Sequence, residues 1–239
     1  MSGAPIVLVP GWWLGAWAWD EVAGILRGQG HEVTALTLPG LESVETDRSK
    51  VTFDDHVRAI CDAVAAAGKP VVLAVHSGAG FPGYAATDRC AEGIAHMVYV
   101  DTGPGKGPSD AEFAAVEMPM SMENLEENEN LDGISDDQKQ EWMRRAVPEP
   151  GGVLRGSAEL TNDARLDVPT TAICTAFSSA DYRKYAADGA EFLAGYNELR
   201  NVDWIDVPTS HWPMFSKPRE LADVIGRIST EAEATGSDS

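Results

Sequence analysis

The chain has 239 residues, of which 38 are acidic and 18 basic, for a formal charge of −20. A surface so acidic repels phosphate, which sets nucleic acid and anionic membranes aside as partners. There is no run of about 18 apolar residues to span a bilayer, and no basic-then-apolar leader, so a cytoplasmic protein is expected.

Short apolar runs then alternate with helical patterns along the chain. Residues 6–10 (IVLVP) read as a strand, and residues 19–27 as a helix ending near Gly28 and Gly30. Residues 32–38 (EVTALTL) are a second strand. Thr52 opens a helix running to about Ala67, with the spacing of a capping box. Residues 71–75 (VVLAV) are a strand leading directly into Ser77 and a helix of small residues. Residues 94–100 (IAHMVYV) are a fourth strand. Residues 102–168 break the rhythm: they begin rich in Gly and Pro, turn Met-rich and acidic, and hold a helix near 136–146. A long insertion of this kind is expected to be a lid or cap. Strands follow at 170–175 and 202–207, with helices at 181–193 and 219–228, and a polar, frayed tail at 231–239. The alternation predicts one α/β domain over 1–239, a mostly parallel sheet flanked by helices, with the cap inserted after the strand ending at Asp101. Ligands of such sheets sit at the carboxyl ends of the strands, here just after residues 10, 38, 75, 100, 177 and 207.

Three of those places carry chemistry. The first is His76-Ser77-Gly78-Ala79-Gly80. A strand, a tight bend and a helix would lift the Ser77 hydroxyl clear of the sheet at the positive end of a helix. Small neighbours are needed there. Val75 stands where the G-x-S-x-G pattern has its first Gly and Ala79 where it has its second, and Pro82 is expected to distort the helix that follows. The second is Pro-Thr-Ser-His211-Trp-Pro, a loop histidine after the last strand. The third is Pro10-Gly11-Trp12-Trp13 after the first strand, where one tryptophan is expected to reach a pocket while Trp17 and Trp19 pack.

Together these motifs resemble the α/β-hydrolase fold, and residues 5–101 and 170–230 are similar to its compact branch of plant methyl esterases and hydroxynitrile lyases. The resemblance implies a Ser77 nucleophile, a His211 base, and an oxyanion hole from the N–H groups of Trp12 and Gly78. For the acid, Asp101 at the end of its strand is preferred, with Asp181, some residues late after the 170–175 strand, as the alternative. The lyases keep a Lys after the histidine; Trp212 stands there, so cyanohydrin cleavage is not expected. Cofactor-independent dioxygenases share the Pro-Gly-Trp, the strand-end Asp and the His-aromatic-Pro, so a His211–Asp101 base dyad is a second reading. A non-catalytic sensor of small molecules is a third.

The expected substrate is a small, neutral, hydrophobic ester, because the insertion is acidic and Met118, Met120, Met122 and Trp142 could line a soft pocket. No cofactor and no metal are expected, and a homodimer is left open. Cys61, Cys90 and Cys174 are odd in number and far apart in sequence, and read as reduced thiols.

Overall fold

The computed structural model describes residues 3–236. In chain order its elements are β1 (Ile6–Val9), α1 (Asp20–Gly28), β2 (Val33–Ala35), α2 (Phe53–Ala66), β3 (Val71–His76), α3 (Gly80–Cys90) and β4 (Ile94–Val100). An insertion follows, with β5 (Glu117–Met118), α4 (Met122–Asn128), α5 (Asp136–Arg145), β6 (Glu149–Pro150) and α6 (Gly151–Arg155). The chain returns through β7 (Thr170–Cys174), α7 (Ser179–Ala187), β8 (Val202–Asp206), α8 (Pro213–Ser216) and α9 (Pro218–Gly236).

Six strands form one parallel sheet in the order β2-β1-β3-β4-β7-β8. Because side chains alternate along a strand, the central strands feed two cores. Val7, Val9, Leu73, Val75, Met97 and Tyr99 face one, under α2, α3 and α7. Ile6, Leu8, Val72, Ala74, Val98 and Val100 face the other, under α1 and α9. Burial on both faces explains why these strands read as continuous apolar runs.

Several boundaries differ from the sequence expectation. β2 stops at Ala35, because the chain then turns away: Thr37 uses its hydroxyl oxygen to accept the Ala16 N–H, and Pro39 has no N–H to give. The helix expected over 181–193 ends at Ala187, where Gly189 turns with φ +92°. Residues 102–168 do hold strands, but only the two-residue antiparallel ribbon of β5 and β6. The expected frayed tail is helical to Gly236, since Ala232 is buried against the core and Ser229 hydrogen-bonds the Ala4 carbonyl; residues 237–239 lie outside the described residues. The capping box at α2 forms as read, with Thr52 and Asp55 exchanging bonds. Among the described residues, no helix is long and apolar enough to cross a membrane.

Candidate active site

Ser77 sits at the carboxyl end of β3, at the start of a single 3-10 turn that runs into α3. Its φ is +51°, a left-handed conformation that a side chain rarely adopts. Close packing from several sides enforces the bend. A Cβ on Gly11 would lie 2.7 Å from the Ser77 Cβ, so only glycine lets the β1 loop press against it. A Cβ on Gly78 would overlap the Trp12 indole, which lies directly over that backbone. The bulk of Val75 is absorbed from α3, where Gly83 leaves the room; a Cβ there would come within 2.8 Å of Val75 Cγ1. Pro82 does not distort the helix as expected. It is the third residue of α3, in the first turn, where a backbone N–H has no helical partner to lose.

His211 reaches this bend from the loop after β8. Its Nε2 is 2.8 Å from Ser77 Oγ, and its Nδ1 is 2.6 Å from Asp101 Oδ2. Asp101 follows the last residue of β4 with φ +47° and is 3% exposed, so its carboxylate is presented by a kink rather than by the strand itself. The other carboxylate oxygen accepts the N–H groups of Thr175 (2.8 Å) and Ala176 (3.0 Å) at the end of β7. Burial pushes the Asp101 pKa up, but the His211 hydrogen bond and charge, with those two amides, outweigh it and leave the group below its ordinary value. Burial likewise pushes His211 down, and Asp101 outweighs that, leaving the imidazole above its ordinary value. An ionised carboxylate can only accept, so Nδ1 carries the ring proton and Nε2 is free to take one from Ser77. Asp181 is elsewhere employed: its carboxylate accepts the Ser178 hydroxyl and N–H in the capping box of α7.

Two groups with no sequence signal complete the arrangement. His76, fully buried, donates its Nε2–H to the His211 carbonyl at 2.8 Å, and its Nδ1 has no partner. Desolvation, reinforced by the neighbouring His211, lowers its pKa to about 3, so it stays a neutral prop for the histidine loop. Glu149, 1% exposed on β6, accepts the Trp13 N–H at 3.2 Å; burial raises its pKa to about 8. Trp13 itself has φ +67°, and its indole N–H is bonded to the Met118 carbonyl.

The Ser77 hydroxyl opens onto a cavity of about 810 Å³ walled by Trp12, Phe81, Phe177, Tyr182, Tyr185 and Phe192. Ser77 also borders a second hollow of about 400 Å³ bounded by Trp12, Trp13, Met118, Leu125 and Trp212. Glu129 borders both. Of the expected soft walls, only Met118 reaches this site. Met120 and Met122 line a separate surface hollow, and Trp142 is 1% exposed, packed on Trp212 and Phe215. Among the described residues no cluster of three His, Cys, Asp or Glu side chains could hold a metal ion.

Known proteins resemble this chain in sequence and in fold. The esterase PIR7B of Oryza sativa subsp. japonica is 37% identical over 99 residues, 39% of this chain and 37% of that protein. A carbendazim-hydrolyzing esterase of Nocardioides sp. (strain SG-4G) is 33% identical over 100 residues, 41% of each chain. The matched stretches thus span well under half the length of these curated relatives. An extracellular alpha/beta-hydrolase from a Paenibacillus species superposes with a TM-score of 0.75 at 19% identity, covering 95% of this chain and 99% of that one. A methylesterase from Arabidopsis does so with a TM-score of 0.71 at 18% identity, covering 94% and 98%. The model of the alpha/beta hydrolase family matches residues 6–224, nearly the whole folded chain, and this protein belongs to that family.

Proposed function

We propose that the chain hydrolyses a small, uncharged, hydrophobic ester through an acyl-enzyme on Ser77. The observation that carries this reading is the unbroken relay from Asp101 through His211 to Ser77, with spacings of 2.6 and 2.8 Å. A serine hydroxyl is a weak nucleophile at neutral pH, so the proton must leave as the oxygen attacks. His211 Nε2 takes it, and Asp101 steadies the imidazolium that forms. The tetrahedral oxyanion is held by the N–H groups of Trp12 and Gly78, on the two loops that Gly11 lets meet at Ser77. His211 then returns the proton to the departing alcohol. Water, deprotonated by the same imidazole, releases the acid. Residues 102–168 serve as the cap, since Ser109, Glu129 and Met118 of that segment border the two cavities. The aromatic walls favour a flat or aliphatic acyl or alcohol part. The esterase names of the sequence relatives support the same chemistry.

A fluorophosphonate probe followed by peptide mass spectrometry tests this. Modification is expected at Ser77 alone, with release of p-nitrophenol from a short acyl ester abolished in Ser77→Ala. Unchanged turnover in Ser77→Ala, or labelling at another residue, refutes it.

A further inference from the structure

Two of the three cysteines meet far from the catalytic relay. Cys61 lies on α2 and Cys90 is the last residue of α3, and their sulfur atoms are 3.0 Å apart. Both side chains are half-buried, so a small reagent can reach them, whereas Cys174 is buried in β7. The 28 residues between the pair hide this contact from the sequence; it arises because α2 and α3 pack side by side over one face of the sheet.

We infer that Cys61 and Cys90 form a thiol-disulfide exchange site, which a low-molecular-weight disulfide such as oxidised glutathione converts to a cross-link between α2 and α3. The two sulfurs need to close by about 1 Å to reach bonding distance, within the reach of χ1 adjustments on helices already in contact. The Cys90 sulfur lies 3.0 Å from the Cys61 sulfur and 3.1 Å from the Ala86 carbonyl, so its single S–H does not fix which thiol ionises first. Either thiolate can open the reagent. When Cys61 attacks, it displaces one glutathione thiolate, giving a mixed disulfide on Cys61. Cys90 then loses its proton to solvent and attacks the Cys61 sulfur, expelling the second glutathione. Two protein thiols and one reagent disulfide become one protein disulfide and two reagent thiols, so electrons and protons balance.

The closed loop, residues 61–90, contains β3, the Ser77 bend and α3. The cross-link restricts the unfolded chain, and a loop of this length should raise the melting temperature by several degrees, up to about 10 °C.

The test uses the intact chain in glutathione redox buffers, quenched with N-ethylmaleimide in denaturant and weighed by mass spectrometry. The expected oxidised form is lighter by two hydrogens, takes up maleimide once, at Cys174, and yields a cross-linked peptide joining Cys61 to Cys90. In Cys90→Ser and in Cys61→Ser, a glutathione adduct should accumulate on the remaining member of the pair, with no cross-link. Three maleimide additions at every redox ratio, or a cross-link that includes Cys174, would overturn the inference. Ester hydrolysis is not part of the readout, so the outcome is independent of the function proposed above.

Discussion

Replacing Gly83 with alanine tests how the Val75 bend is accommodated. The added methyl would lie 2.8 and 3.2 Å from the two Val75 methyls and 3.3 Å from Met97 Cε. Ordinary carbon contacts are about 3.5–4.0 Å, so the shortfall approaches 1 Å. Val75 is fully buried in a central strand, and its branched side chain has one comfortable rotamer, so it cannot swing aside. Overpacking of this kind costs about 1–3 kcal/mol. Alanine in place of glycine within a helix returns about 0.5–1 kcal/mol. The net expectation for Gly83→Ala is a loss of about 0.5–2 kcal/mol, with activity falling more than stability because α3 is pushed away beneath Ser77. Val75→Ala alone should cost about 2 kcal/mol by leaving a cavity. In the double variant the new methyl fills that cavity, so the two losses should sum to at least about 1 kcal/mol more than is observed. Urea denaturation with an unchanged m-value measures all three. A Gly83→Ala protein as stable as the parent, or strictly additive losses, would refute the compensation.

Asp101→Asn should lower kcat by about 10⁴, the cost of a wrong histidine tautomer. The Thr175 and Ala176 amides fix the oxygen side of residue 101, so the new NH₂ group must face His211 Nδ1 and turn it into an acceptor; a loss below ten-fold would contradict this. Gly78→Ala should force the Trp12 indole from its seat and cost roughly 100-fold in turnover, as for a disrupted oxyanion donor, with the circular dichroism of the fold unchanged. The pH profile of kcat/KM should rise along an acid limb centred above 6.5, because Asp101 raises the imidazole and only the neutral ring accepts the serine proton. A limb at or below 6.5 would count against the relay. For stability, burial lowers His56 to about 4, His76 to about 3 and His96 to about 4, from 6.5. Glu149, raised to about 8, and His211, also raised, work the other way, so the unfolded chain binds at most about two more protons between pH 6.5 and 4.5, and stability should fall by a few kcal/mol as pH drops through that window. Urea midpoints that stay level from pH 7 to 5 would refute the neutral burial of these rings.

The parallel sheet was legible because its strands are buried on both faces and so appear as uninterrupted apolar runs, and the relay was legible because its three members follow strand ends in sequence. Asp101 could be preferred over Asp181 from the strand it follows. What occupies Asp181, its capping bond to Ser178, is a local motif that the sequence also contains. Other features depend on contacts between distant segments. Nothing around Glu149 marks it as the partner of the Trp13 amide, since the two are 136 residues apart. The meeting of Cys61 with Cys90 and the seat of Trp12 over Gly78 likewise follow from packing. The Val75 departure from the small-residue pattern had its answer eight residues on, at Gly83, the fourth residue of the next helix; reading the bend and the helix as one packing unit would have found it.

Strain and its restraint occur at the same places. Among the described residues, the only non-glycine residues with positive φ are Trp13, Ser77 and Asp101, at +67°, +51° and +47°. Each such conformation costs on the order of 1–3 kcal/mol and persists only where its surroundings over-determine it. Ser77 is held through its carbonyl, which accepts the Thr102 hydroxyl at 2.8 Å. Asp101 is held by its own N–H on the Ile173 carbonyl and by the amides on its carboxylate. Trp13 is held almost wholly by the insertion: its N–H by Glu149, its indole by the Met118 carbonyl, and its carbonyl by the Val147 N–H. The histidine loop makes two more such bonds, its His211 N–H donating to the Asn130 carbonyl and its Thr209 carbonyl accepting the Asn130 side-chain amide. Residues between β4 and β7 therefore fix two of the loops that meet at Ser77. A segment with that many bonds to the loops cannot lift away as a free cover without releasing the strained backbone at Trp13, so its attachment contributes to building the site as well as to enclosing it.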